Sequence, residues 1–245
     1  MTEPCAGGQY QRARFIFIID MMKTPTTSAA AISNSTPAFP RTDPAAPEFW
    51  NMRFEAAFMP WDQGGIPACL RQYVDDLRLA AQFPPSKKYR TLIPGCGSAH
   101  EVKLFADLGW DVTAIDFSPA AVAWAQRSFG AGSALASMVK EQDFFGDTVG
   151  SERFDIVYER AFLCALPRKL WNNWSLRVAQ IILPGGQLVG FFFSDVSDKG
   201  PPFGLAQEEL EMMLLPNFTR TQLQKPADSI PIFADKETWQ VWTRR

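Results

Sequence analysis

Apolar residues in this chain gather into short runs of strand length, separated by stretches with helical spacing. The most informative run is Leu92-Ile93, which breaks at Pro94 into a loop of small residues, Gly95-Cys96-Gly97-Ser98-Ala99. A helical pattern follows, with Val102, Leu104, Phe105 and Leu108 as its apolar members. Val112 to Ile115 then reads as a second strand ended by Asp116, and Ser118-Pro119 opens a helix that runs to about Phe129. A short third strand is expected within Ala136–Lys140, and Phe154 to Tyr158 reads as a fourth. Pro167 opens a helix to about Leu183, Pro184-Gly185-Gly186 turns the chain, and Gln187 to Phe193 makes a strongly apolar fifth strand. Leu205–Leu215 reads as a helix, and Phe218–Gln224 and Thr238–Thr243 as two late strands with no clear helix between them. Five strands alternating with helices predict an α/β fold, with a mostly parallel sheet covered on both faces. Two final strands joined without a helix predict an antiparallel hairpin at one edge, making seven strands in all.

In such open sheets the ligand sits at the carboxyl ends of the strands. Gly95–Ser98, Asp116, Asp143-Phe144 and Glu159-Arg160 all follow strand ends, so they are expected to converge on one crevice. Gly95 and Gly97 let the backbone take positive φ and come close to a ligand. The helix that follows offers unpaired N–H groups to the same space. Asp116 lies 21 positions after Gly95, close to the spacing at which a carboxylate meets a ribose in nucleotide-binding folds. A tight turn and a helix-cap neighbour are the plainer readings of these residues; the spacing favours ligand contact. Glu159 and Arg160 read plainly as partners for other charges, and His100 as a helix-start residue with a lesser claim as a general base.

The first part of the chain has a different character. Residues 1–47 are expected to form a disordered leader: Thr24 to Pro47 is Thr, Ser, Ala, Asn and Pro, too poor in apolar surface to offset its ordering entropy. The run Phe15 to Ile19 follows Arg12 and Arg14 as a signal peptide's apolar segment would, but it is short, Asp20 interrupts it and no clean small-residue cleavage site follows closely; it is also far too short to span a bilayer. From residue 48 the composition changes. Glu48 to Pro67 carries Phe49, Trp50, Phe54, Phe58 and Trp61, with Pro60 expected to close a helix. The plain reading is an amphipathic helix packed on the core; the functional one is an aromatic lid, spanning 48–67, over a ligand, with a cation among the ligands such rings suit. Ala68–Phe83 reads as a further helix, giving one domain over 48–245.

Composition narrows the chemistry. A net charge of −2 without a basic block gives no electrostatic support for nucleic-acid or membrane-surface binding. The four cysteines, Cys5, Cys69, Cys96 and Cys164, are scattered without metal-ligand or redox spacing, so no metal site and a reducing cytoplasm are the expectations. Cys96 and Cys164 sit among apolar residues and read as small hydrophobes rather than nucleophiles. His100 is the only histidine and lies inside the glycine loop, which argues against a histidine-based triad.

Two nucleotide readings compete. A dinucleotide oxidoreductase would need glycine where His100 stands in the G-x-G-x-x-G pattern. S-adenosylmethionine has ribose and adenine but no phosphate, and the late hairpin with the Leu183-Pro184-Gly185-Gly186 turn favours it. Specific stretches then carry a family resemblance: PWDQGGIP (60–67), LIPGCGSAHEV (92–102), VTAIDFSPAAV (112–122), FDIVYERAFLCALP (154–167), LPGGQLV (183–189) and GPPF (200–203). In that order over 48–245 the chain resembles the thiopurine S-methyltransferase family, which includes small-thiol and halide methyltransferases.

The resemblance implies a Rossmann-like class I fold and methyl transfer from S-adenosylmethionine to sulfur. It implies that Trp50, Phe54 and Trp61 line the cofactor site from the lid, and that Gly95 meets the cofactor by its backbone. It further implies Asp116 on the ribose hydroxyls, Asp143 and Phe144 flanking the adenine, and Arg160 beside the methionine end with a catalytic role. Phe54 stands where some plant members carry Trp, and Arg160 where halide-type members often carry Tyr, which weighs toward thiols over halides. A thiopurine or a selenium or tellurium compound is the alternative acceptor. A non-catalytic binding module would not need the intact Gly95, Gly97, Asp116 and Arg160 set. A monomer acting on a small thiol, without nucleic-acid or membrane partners, is the resulting expectation.

Overall fold

A computed structural model describes residues 37–245 of the chain except 81–83, 85, 86 and 198. Most of the expected leader, with its apolar run at Phe15 to Ile19, lies outside the described residues. The elements in order are α1 (Pro47–Glu55), α2 (Ala68–Leu79), β1 (Arg90–Pro94), α3 (Glu101–Asp107), β2 (Asp111–Asp116), α4 (Pro119–Phe129), α5 (Ala134–Ser137) and β3 (Val139–Glu141). They continue with α6 (Asp147–Ser151), β4 (Phe154–Arg160), α7 (Trp171–Ile181), β5 (Ile182–Phe193), α8 (Gln207–Leu214), β6 (Phe218–Gln224) and β7 (Glu237–Arg244).

The seven strands form one sheet in the order β3-β2-β1-β4-β5-β7-β6. The first five are parallel, and β7 runs antiparallel between β5 and β6. β4 shows why the central strands read as continuous apolar runs. Phe154 and Val157 pack on one face, against Trp171, Trp174 and Val178 of α7. Ile156 and Tyr158 face the other cluster, with Leu70 and Val74 of α2 and Phe105 of α3. Both faces are dry, as helices on each side require. Asp155, near the start of β4, is held by the Lys87 ammonium at 2.6 Å and the Arg90 amide at 2.9 Å.

Several boundaries differ from the expectations. Residues 134–137 are a helical turn, and the third strand covers only Val139–Glu141. The helix expected from Pro167 is a 3₁₀ turn at Arg168–Leu170 followed by α7, which stops at Ile181. β5 begins at once at Ile182, and Pro184-Gly185-Gly186 is a bulge inside it: pairing with β4 jumps from Phe154–Ile182 to Ile156–Gln187. The lid helix ends at Glu55, well before Pro60, because Ala57 takes a positive φ of 50°. Ordered contacts also begin before residue 48. Phe39 packs on Phe58 with ring centroids 5.6 Å apart, and the Trp50 indole donates to the Pro44 carbonyl at 2.9 Å.

Candidate active site

The carboxyl ends of β1, β2 and β4, with the lid across them, enclose a cavity of about 900 Å³. Trp50, Phe54, Trp61, Gly95, Asp116, Asp143, Phe144 and Arg160, the eight residues singled out in the sequence, all line it. The crevice predicted from the ends of strands is therefore real, and the lid forms its fourth wall.

The glycine loop is built for close approach. Gly95 and Gly97 have φ of +57° and +50°. A Cβ on Gly95 would overlap the Phe162 ring, and one on Gly97 would press on Phe54 at 3.4 Å. Asp116 ties this loop to the end of β2, accepting from the Gly97 amide at 3.1 Å on one oxygen and the Ser118 amide at 2.9 Å on the other. Burial pushes its carboxyl up to about 6, against the backbone donors that pull it down. Asp143 accepts from the Phe145 amide in a turn that presents Phe144, whose ring packs edge-on to Phe162 at 5.3 Å.

The lid is pinned to this floor through three polar side chains. Asn51 of α1 accepts from the Ser118 hydroxyl at 2.6 Å. Asp62 accepts from the Ser98 hydroxyl, from His100 Nε2 at 2.8 Å and from the Gly64 amide at 2.7 Å. Gln63 accepts from Arg160 at 2.9 Å and donates to the Asp228 carbonyl at 2.7 Å. Between the pins, Trp61 stands edge-on to Trp50 at 5.4 Å and to Phe54 at 6.2 Å. His100 is thus a lid anchor: its bond to Asp62 raises its pKa above the ordinary 6.5. Burial raises Asp62, but the bonds from His100 and Ser98 outweigh it and hold the carboxyl at about 2.

Arg160 ends β4 with a side chain only 10% exposed. Its guanidinium lies over the Phe191 ring, 3.9 Å from the centroid. Nη2 reaches Gln63 and lies 3.9 Å from Glu237, while Nη1 is buried with no hydrogen-bond partner. Glu159 does not pair with another charge. It accepts from the Phe162 and Leu163 amides at 3.0 Å each, and burial moves its carboxyl up to about 7. Tyr158 donates to the buried Glu101 at 3.2 Å, a pair on the cavity wall that sequence reasoning missed. Cys96 and Cys164 also line the cavity, and burial drives both thiols well above the ordinary range, so neither is a thiolate nucleophile.

The model of the thiopurine S-methyltransferase family matches residues 45–245. The chain belongs to that family. It is 27% identical over 200 residues to thiocyanate methyltransferase 1 of Arabidopsis thaliana, covering 80% of this chain and 84% of the relative. It is also 27% identical to a thiopurine S-methyltransferase of Vibrio cholerae over 186 residues, covering 69% and 81%. Among solved structures, magnesium protoporphyrin IX methyltransferase of Synechocystis PCC 6803 superposes with a TM-score of 0.59 at 14% identity, covering 85% of this chain and 100% of that one. The fold is that of class I S-adenosylmethionine-dependent methyltransferases, and the family makes S-adenosylmethionine the cofactor of this member. The residues present fit that group: side-chain-free glycine backbone, a carboxylate at the ribose distance along the chain, and aromatic walls. Among the described residues no group of three or more His, Cys, Asp or Glu could hold a metal ion.

Proposed function

We propose that this family member methylates the sulfur of a small thiol, with Arg160 as the group that meets the acceptor. The observation that carries this is the buried, unpartnered Nη1 of Arg160 on the cavity wall. A buried donor without a partner is costly, and an anionic acceptor atom would satisfy it. Around it the walls are apolar: Trp61, Ala161, Cys164 and Phe233 pack together beside Pro201 and Pro202.

In this reading Asp116 accepts the ribose hydroxyls, Gly95 lets the cofactor reach the backbone, Asp143 and Phe144 flank the adenine, and Trp50, Phe54 and Trp61 close over it. When bound, S-adenosylmethionine would supply an electrophilic methyl on a sulfonium: the thiolate would form the new carbon–sulfur bond while the methyl–sulfonium bond broke and its electron pair stayed on the departing sulfur. Arg160 favours the thiolate over the thiol, since a neighbouring cation lowers a thiol pKa from about 8.5. The thiol proton is lost to solvent before the lid shuts, so no strong base is required. The lid then holds water away while sulfur, methyl and leaving sulfur are aligned. A monomer at work in the cytoplasm completes this reading, and the scattered cysteines suit a reducing compartment.

The test is methyl transfer from labelled S-adenosylmethionine to hydrogen sulfide, methanethiol, an aromatic thiol, a thiopurine, selenide and iodide. Turnover led by hydrogen sulfide or methanethiol is expected. Turnover led by the thiopurine or selenide replaces the acceptor, and turnover with none of them rejects the proposal.

A further inference from the structure

The unusual feature at the acceptor end is the company Arg160 keeps. Glu237, the first residue of β7, has 4% of its surface exposed, and its Oε1 lies 3.9 Å from Arg160 Nη2 with no hydrogen-bond partner of its own. The Ser229 hydroxyl and the Ile230 amide bond the same carboxyl group. Glu101, also buried and bonded by the Tyr158 hydroxyl, feels the charge of the same guanidinium. One buried cation is therefore matched by two buried carboxylates before any acceptor enters. The wall from Trp61 to Phe233 is apolar, and the cavity's other basic side chains are engaged elsewhere: Lys169 pairs with Asp43, Arg53 donates to the Phe49 carbonyl, and His100 bonds Asp62.

We propose that Glu237 makes the acceptor end a charge filter, admitting thiols whose only charge is the reacting sulfur and turning away thiols with a second anionic group, such as mercaptocarboxylates. This rests on the thiol reading of the cavity. A thiolate satisfies Arg160 Nη1, and its charge is consumed when the new carbon–sulfur bond forms. A carboxylate on the same acceptor is not consumed. Beside Arg160 it meets apolar walls, or competes with Glu237 for the guanidinium and strands one of the two carboxylates without a partner. Like charges brought together in a desolvated site are strongly disfavoured. Glu237 does not touch the reacting atoms in this scheme; it is a positioning residue acting through Arg160.

The experiment compares 3-mercaptopropionate with its methyl ester, which has the same reach and no carboxylate. The quantity read is the ratio of kcat/KM per thiolate, ester over acid, in wild type, Glu237→Gln and Glu237→Asp. Wild type is expected to prefer the ester by about tenfold or more. Glu237→Gln is expected to cut that preference by about tenfold, chiefly through KM for the acid, and Glu237→Asp to keep it. Equal use of acid and ester by wild type overturns the filter, and does so even where a variant fails to fold. A Glu237→Gln enzyme that is slower on both acceptors with an unchanged ratio also overturns it, because that is the result of a purely structural role. Both outcomes leave the thiol reading standing. Silence of the wild type on both acceptors and on every other thiol overturns the two together.

Discussion

Arg160 combines three environments on one guanidinium: an aromatic face beneath it, a carboxylate near one nitrogen, and a second, buried nitrogen without a hydrogen bond, with the Tyr158 hydroxyl close to the group. The ring and the carboxylate hold the cation in place, so its free nitrogen is oriented before anything binds. Replacing it by an apolar chain of similar length separates charge from bulk. Arg160→Met is expected to lower kcat/KM for a small thiol by about a hundredfold at neutral pH. Raising the pH should recover part of the loss, because more of the acceptor is then ionised without help. A steady-state pH–rate series of variant against wild type checks this, and a uniform loss at every pH would assign Arg160 to packing alone. The position of Arg160 after a strand was legible in the sequence. Glu237, 77 residues further on, was not, since only the insertion of β7 beside β5 brings it near.

At the scale of elements, the lid is the part that propensity alone describes least well. Its aromatics were visible as an aromatic-rich stretch, and packing on the core was a sound reading of them. What distinguishes a lid is the polar stitching at Asn51, Asp62 and Gln63, whose partners lie 36 to 165 residues away. No local pattern encodes such pairs. The strands and the glycine loop were legible because period and turn chemistry are local. The bulge at 184–186 was read as a turn because Pro-Gly-Gly has the same chemistry in both settings. Trp61 is the hinge of the aromatic contacts, touching both Trp50 and Phe54. Trp61→Ala removes two edge-on pairs and the wall they form, so affinity for S-adenosylhomocysteine is expected to fall by at least about tenfold. Isothermal titration reads this directly. Affinity and turnover both unchanged would show that the aromatics are core packing only.

For the whole molecule, the proposed assignment makes two titrating groups on different elements set opposite limits on cofactor binding. Asp116 accepts hydroxyls more strongly when ionised, and its carboxyl stands at about 6, so affinity is expected to weaken as pH falls below that value. His100 acts in the other direction. Its folded pKa is raised above 6.5, so its contribution to lid closure is complete below 6.5 and lost as pH rises through the higher folded value. Asp62, held at about 2 against an ordinary 3.8, stays charged throughout and loses its contribution only as pH falls toward 2. The expected profile of S-adenosylhomocysteine affinity is a bell whose acid limb falls near 6 and whose alkaline limb lies above 6.5. Asp116→Asn should remove its acid limb and His100→Gln its alkaline limb. Titrations across pH that keep both limbs in both variants would place the controlling groups elsewhere.

The order of the sheet also divides responsibility for the cavity. The wall assigned to the cofactor comes from residues 45–144, while Pro201 and Pro202 lie between β5 and α8, Phe233 lies between β6 and β7, and the Glu237 behind Arg160 opens β7. A change in either connection can therefore remodel what the enzyme accepts while the donor's berth stays intact. One scaffold can in this way be retuned from thiol to thiol by exchanging two short loops, leaving its energy source for methylation the same.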